Sequence, residues 1–221
     1  MPIDLNWEIN EVAYDNKPTG VRITYFRLIH CRRGTMGYKL EFTPPKLLGA
    51  KTLSMIYSGD TKPTKTMIQQ ASYKPYGIDV LVHEMVISPL DWAMESLHTK
   101  DPGKISDRDL QYAEDVRNSS HTSQAAFGYL LTQIDPRPRL TMATHFQATD
   151  DTIASAQTTL DAFGIPRDGY TLALDFIVVN VTANKITPSR LDVSRHAYPM
   201  PGYYLSPNVK RPKYYKQGVD E

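Results

Sequence analysis

Short apolar runs with strand-like alternation recur along the chain and predict a β-sheet. Between Val21 and Tyr25, apolar residues alternate with Arg22 and Thr24, and both faces turn apolar as the run approaches His30. This pattern predicts a strand that becomes more buried towards its carboxyl end. Further strands are predicted at 8–15, 38–42, 52–58, 78–85, 139–146 and 171–182.

Helical spacing of apolar residues separates these strands. Helices are predicted at 64–73, 121–134 and 151–163, and the second begins with a cap-like Thr122 or Ser123. Residues 86–118 are polar and compatible with a helix that breaks at the DPGK sequence, which predicts a surface excursion. Because strands alternate with helices, the chain is predicted to form a layered α/β domain.

Composition agrees with one soluble domain. The 221 residues are 41% hydrophobic, and 25 Lys and Arg residues balance 24 Asp and Glu residues. This balance gives no overall attraction to nucleic acid or to an anionic membrane. The single cysteine, Cys31, excludes an internal disulfide and is predicted to lie in the core. No signal peptide is recognised and no apolar run approaches the roughly 18 residues of a membrane span, so a cytoplasmic protein is expected.

Polar residues with metal-binding or acid–base chemistry follow several of the predicted strands. They are His30, Asp60, the pair His83-Glu84, and His145. Ligands gather at the carboxyl edge of the sheet in layered α/β folds, so His, Asp and His could converge on a zinc ion there. The alternative is that each His is a hydrogen-bonded structural residue, and for His83 this alternative is favoured. Thr61 could cap the following helix or support the metal ligands from behind, and capping is the preferred role.

An ordered set of motifs covers the chain from about Val21 to Val181. They are the strand ending at His30 with GTMGYKLEF after it, YSGDT at 57–61, DVLVHEM at 79–85, SHTSQAA at 120–126, MATHF at 142–146 and ALDFIVVNV at 173–181. In this order they resemble the metallo-β-lactamase superfamily, in particular its ribonuclease Z-like branch. The resemblance implies the carboxyl-terminal portion of a four-layer αββα sandwich at 1–190, with an extended tail at 191–221.

The resemblance also implies a role for each candidate residue. His30 would bind one metal, His145 would bind the other, and Asp60 would bridge the two. His121 would act as the general acid, oriented by Glu84. The family chemistry is hydrolysis by a metal-bound hydroxide, with two zinc ions as the first expectation and manganese or iron as alternatives.

The family's HxHxDH motif is absent from this sequence, because no two of the six His residues have its spacing. Only two protein ligands per ion remain, fewer than the usual three of a catalytic zinc. We therefore expect half of an enzyme, and the sequence leaves open whether this half is active alone. Because a lone half would leave one sheet face uncovered, we expect a homo-oligomer or a complementary amino-terminal half. No membrane partner is expected.

Three functions remain open at this stage. The first is phosphodiester hydrolysis of the ribonuclease Z type, with RNA as a possible substrate. The second is hydrolysis of an amide, lactone or β-lactam by the same chemistry, since the fold hosts all of these. The third is a non-catalytic binding or assembly subunit.

Overall fold

The computed structural model describes residues 5–6, 9–31, 34–45, 51–72, 75, 77–86, 88–146, 150–173 and 177–190. The strands are β1 (Glu11–Asn16), β2 (Val21–Arg27), β3 (Met36–Phe42), β4 (Leu53–Tyr57), β5 (Val80–Glu84), β6 (Leu140–Thr144), β7 (Tyr170–Leu172), β8 (Ile177–Val181) and β9 (Ile186–Arg190). The helices are α1 (Lys65–Ala71), α2 (Pro89–Ser96), α3 (Asp107–Ser120), α4 (Gln124–Gln133) and α5 (Asp150–Ala162). A single 3-10 turn, Pro102–Lys104, separates α2 from α3.

Strands β1 to β7 form one mixed sheet in which spatial order follows chain order. The first four strands pair antiparallel, and β4 to β7 pair parallel. Connections through α1 and α4 separate the parallel strands, as crossovers of this kind require. The expectation of a mixed α/β fold is therefore confirmed. Among the described residues there is one large sheet, together with the small antiparallel hairpin of β8 and β9.

Helices α1, α4 and α5 contribute to one apolar core against this sheet. The fully buried sheet residues Ile56, Leu81 and Ala143 lie in that core. The helices supply Met67, Ala71, Phe127, Leu130, Leu131, Ala156 and Leu160. Removal of this apolar surface from water is the main stabilising contribution to the fold.

A second row of apolar side chains lies on the other face of the sheet, where Val80 is buried but Leu40 and Met55 are only partly covered. Leu40 pairs with Met55, and Met55 pairs with Val80, so the three share one face of the sheet. Phe42, which pairs with Leu53, is 42% exposed. A groove of 320 Å³ runs along this face, lined by Val21, Leu40, Glu41, Phe42, Leu53, Ser54, Met55, Val80 and Val181.

The prediction of one long strand at 171–182 is wrong. Instead, β7 ends the main sheet at Leu172 and β8 pairs with β9 in a separate hairpin. A continuous apolar run does not reveal where a chain leaves one sheet for another. Strand β9 was missed because Pro188 disfavours an assignment to strand. The tail predicted at 191–221 lies outside the described residues.

Helices α2 and α3 occupy the polar region that was predicted to be helical with a break. Residues 86–118 were expected to be helical with a break at DPGK, and two helices with a turn between them occupy that region. Helix α3 continues to Ser120, and His121 is its C-cap residue. The next helix begins with Ser123 as N-cap, whose hydroxyl accepts a hydrogen bond from the Ala126 N–H. No helix within the described ranges is both long and apolar enough to cross a bilayer.

Candidate metal centre

The parallel strands β4, β5 and β6 end at the same edge of the sheet, and the candidate residues lie just beyond or at those ends. Asp60 follows β4, Glu84 is the last residue of β5, and His145 directly follows β6. Gly59, with φ of 61°, makes the turn that precedes Asp60, in a backbone conformation that glycine adopts without strain. His145 also has a positive φ, 62°, which an L-residue adopts at some cost.

His121 reaches the same edge from the connection between α3 and α4. Its backbone N–H donates to the Arg117 carbonyl and closes the last turn of α3. The following residue, Thr122, is fully buried and receives the Val86 N–H at its carbonyl. These backbone hydrogen bonds on either side of His121 fix the position of its Cα atom, from which the ring extends.

Asp60, His121 and His145 form one cluster. Each offers a ligand atom within 4.8 Å of the other two, and the Asp60 carboxylate lies 3.6 Å from His145 Nε2. The Asp60 and His145 side chains are 44% and 49% exposed, so a solute can reach them. The His121 and His145 rings stack with their centroids 5.5 Å apart.

Glu84 holds His121 from the buried side. Its carboxylate is 1% exposed, and its Oε2 accepts the His121 Nδ1–H at 2.7 Å. Its Oε1 accepts the backbone N–H groups of Thr61 at 2.6 Å and Thr122 at 3.1 Å. The hydrogen bond to Glu84 is the largest cause of a raised pKa at His121. Nε2 of His121 is therefore the ring nitrogen left for chemistry.

His30 lies beside this cluster, outside the group of three. Its Nδ1 donates to the Ser120 carbonyl at 2.9 Å, which leaves Nε2 as the available ring nitrogen. Its ring meets His121 edge to face, with centroids 4.7 Å apart. Strand β2 ends at Arg27, so His30 stands in the following loop and not on the strand end that the sequence predicted.

Thr61 ties that loop to the centre. Its hydroxyl accepts the Ile29 N–H at 3.2 Å and lies 3.0 Å from the Ile29 carbonyl. The expected role of Thr61 as a helix cap is wrong, because Thr64 is the N-cap of α1. Cys31, expected in the core, is exposed because the loop after β2 turns outward.

His83 is a structural residue in this geometry, as the sequence favoured. The Thr122 hydroxyl donates to the Thr61 carbonyl at 2.6 Å, so it accepts the His83 Nε2–H at 3.0 Å. His83 Nδ1 then accepts from the Ser58 hydroxyl at 2.7 Å. Complete burial lowers the pKa of His83 to about 3, which keeps the ring neutral.

The donor set of the cluster fits one divalent ion. Imidazole and carboxylate are ligand types that zinc accepts, and ligation by Asp60 and His145 would leave positions for water and for a further residue. Tetrahedral ligands at about 2.1 Å from zinc stand roughly 3.4 Å apart, close to the 3.6 Å between Asp60 and His145. The group of Asp60, His121 and His145 is the one such group that the described part of the chain contains.

A cleft of 390 Å³ opens beside the cluster. One of its residues, Arg117, was not among the candidates that the sequence predicted. The cleft is lined by Val86, Trp92, Glu95, Val116, Arg117, His121, His145 and Phe146. Arg117 is only 3% exposed. A single Arg in the polar stretch before His121 gives no indication of burial, because most such residues are solvated.

Comparisons with known proteins give little further information. No family model and no curated protein matches the sequence. Among solved structures, the chain is similar to the crystal structure of a long-form RNase Z from yeast, with 19% sequence identity and a TM-score of 0.39. The likeness covers 62% of this chain and 16% of that one. A likeness this weak carries no argument about activity, so the function is argued from the site.

Proposed function

We propose that this chain carries part of the active site of a metal-dependent hydrolase that acts on phosphodiesters. The observation that carries the proposal is the meeting of Asp60, His121 and His145 within 4.8 Å at the edge of the sheet. A structural role alone does not account for two half-exposed polar side chains beside a His that a buried carboxylate orients. In structures of unknown function, such clusters in clefts are the default candidates for active sites.

Asp60 and His145 are the residues proposed to hold the ion, and the Nε2 of His30, which lies beside the cluster, is a further candidate ligand. Zinc is the first choice for these donors, with manganese or iron as alternatives. A bound ion would supply Lewis acidity, which activates water as a nucleophile and offsets the negative charge that develops on the scissile group.

His121 is the proposed general acid, and Glu84 is its positioning residue. An alkoxide leaving group needs a proton, and because Glu84 holds Nδ1 of His121, Nε2 is the nitrogen that can supply it. The neighbouring carboxylate stabilises the charged imidazolium, so Nε2 can carry a transferable proton near neutral pH. The choice of a phosphodiester over an amide or lactone rests on the resemblance of DVLVHEM and SHTSQAA to the ribonuclease Z-like branch.

The test is hydrolysis of bis(4-nitrophenyl) phosphate by the zinc- or manganese-loaded chain, alone and joined to an amino-terminal half that carries HxHxDH. We expect a metal-dependent rate in at least one of the two forms. Asp60→Asn and His145→Ala should abolish it, and His121→Ala should lower it by about 10²- to 10⁴-fold. Metal binding by His121→Ala should stay close to that of the unmodified chain.

Exposed His98 provides the matched control, since His98→Ala removes an imidazole that is not part of the cluster and should leave the rate unchanged. A rate that survives metal removal, or that is absent from both forms, would overturn the proposed function. If His121→Ala loses the metal together with the rate, His121 is a ligand and its role as general acid is wrong.

A further inference from the structure

Arg117 is a buried cation that the described chain leaves mostly unpaired. One nitrogen, Nη2, donates to the Val86 carbonyl at 3.0 Å. The other two, Nε and Nη1, are shielded from solvent and have no hydrogen-bond partner. A buried charged donor without a partner is costly, and natural structures keep such groups when something outside the chain satisfies them.

The charge of Arg117 also lacks a close counterion. No carboxylate of the described residues forms an ion pair with it, and Asp91 and Glu84 act on it only from a distance. Burial lowers the pKa of Arg117 to about 10, so the guanidinium is still charged at neutral pH. The nearby carboxylate in the cleft, Glu95, is exposed, and water screens its field more strongly than that of a buried charge.

The position of this cation connects it with the proposed centre. Arg117 lines the same cleft as His121 and His145, and its own carbonyl accepts the His121 N–H. Val86, Trp92 and Phe146 give the cleft apolar walls. In such surroundings an ionic hydrogen bond between guanidinium and phosphate is stronger than it is in water.

We propose that Arg117 is the anion-binding residue of this cleft and that it holds a phosphate group of the ligand next to His121 and His145. The inference rests on the proposed function for its ligand class, because a phosphodiester substrate carries such a group. Since Nε and Nη1 are shielded, binding requires a small movement of the Arg117 side chain towards the cleft. The guanidinium fork then gains the two hydrogen bonds that it lacks in the free chain.

The experiment measures phosphate binding to metal-free protein, so that neither an ion nor turnover contributes. Inorganic phosphate is titrated into the chain while NMR follows the Arg Nε–H signals, and Arg117→Lys assigns the signal of Arg117. We expect a saturable shift of that signal. Phosphate affinity should fall at least about 10-fold in Arg117→Gln, the loss expected for charge-assisted hydrogen bonds. Arg108→Gln, an exposed change on the same helix, should bind phosphate as the unmodified chain does.

An Arg117 signal that does not respond to phosphate would overturn the inference, as would equal affinity in folded Arg117→Gln. If Arg117→Gln does not fold, the titration of the unmodified chain decides alone. A chain that binds phosphate through Arg117 but hydrolyses nothing would contradict the proposed function and support this inference. A chain that hydrolyses phosphodiesters without an Arg117 response to phosphate would contradict this inference only.

Discussion

Glu84 joins three separate segments through a single buried carboxylate. It accepts the Thr61 N–H from the loop after β4, the Thr122 N–H before α4, and the His121 ring N–H. Both oxygens of the carboxylate therefore serve the geometry of the centre. Loss of its charge would leave buried donors with a poorer acceptor.

The substitution Glu84→Gln is expected to destabilise the chain by about 2–4 kcal/mol, because an amide NH₂ group would face N–H donors in a buried site. Urea unfolding followed by circular dichroism measures the change in unfolding free energy. Asp107→Asn, an exposed carboxylate at the start of α3, is the control and should change stability by less than about 0.5 kcal/mol. Equal stability of Glu84→Gln and the unmodified chain would show that these hydrogen bonds are not important.

His83 predicts a pH dependence of stability. Its pKa is lowered to about 3 by burial, whereas in the unfolded chain the pKa is near its ordinary value of 6.5. Between these two values the unfolded chain binds one proton more than the folded chain does at this site. Stability therefore falls as pH decreases from about 6.5 towards 3, by up to about 1.4 kcal/mol per pH unit from this residue.

The matched comparison is His83→Gln, which keeps a polar side chain but cannot titrate. Its unfolding free energy should depend less steeply on pH between 6 and about 4 than that of the unmodified chain. His98→Gln removes an exposed imidazole and should leave the slope unchanged. The same slope in His83→Gln and in the unmodified chain would mean that His83 titrates normally in the folded state.

At the residue scale, the sequence predicted several of the side chains that lie at the centre. It did not predict the contacts that hold them there. Asp60 and His145 follow strand ends of a parallel sheet, so the topology brings them together. The orientation of His30 by the Ser120 carbonyl depends on a contact between positions 90 residues apart. The burial of Arg117 depends on the packing of α2 against α3. The spacing of polar residues along the sequence does not predict that packing.

At the scale of elements, α4 and α5 pack closely because α4 carries a glycine in its interior. A Cβ at Gly128 would come within 2.4 Å of the Phe163 ring. In an exposed helix the change from Gly to Ala stabilises by about 1 kcal/mol. Here the clash opposes that gain, because the ring must shift within the apolar core.

We therefore expect Gly128→Ala to destabilise the chain by about 1–3 kcal/mol in urea unfolding. In the background of Phe163→Ala, which removes the ring, the same substitution should be neutral or stabilising. This double-mutant cycle isolates the contact between the two helices. If Gly128→Ala stabilises both backgrounds equally, helix propensity alone determines the effect. The Phe163 ring then does not oppose a side chain at position 128.

Element prediction from sequence succeeded where one period dominates. Strands β2 to β6 carry alternating or continuous apolar residues, and helices α1, α4 and α5 have helical spacing with caps or proline near their ends. Prediction failed at the boundary between β7 and β8 and at β9. In those places a strand changes its pairing partner, and strand pairing depends on contacts between distant parts of the chain. A local sequence pattern does not predict such contacts.

At the scale of the whole molecule, the incompletely buried apolar side chains of Leu40, Phe42 and Met55 have a consequence in solution. Exposed apolar surface of this kind favours association. We expect the sedimentation coefficient of the chain to rise with concentration in the micromolar range. Met55→Lys should weaken this dependence, whereas Tyr112→Lys, a change of an exposed aromatic residue on α3, should not. A single monomeric species at all concentrations would contradict the expectation of a partner.

Metal binding tests the central claim most directly. Zinc bound per chain is measured by equilibrium dialysis and elemental analysis of the unmodified chain and of Asp60→Asn, His145→Ala and His98→Ala. Because the Asp60 carboxylate and His145 Nε2 stand 3.6 Å apart, close to the spacing of two ligands of one zinc ion, we predict about one ion per chain. The ion should be lost in the first two variants and kept in the third. No bound zinc, two tightly bound ions, or retention of the ion by Asp60→Asn and His145→Ala would contradict the account.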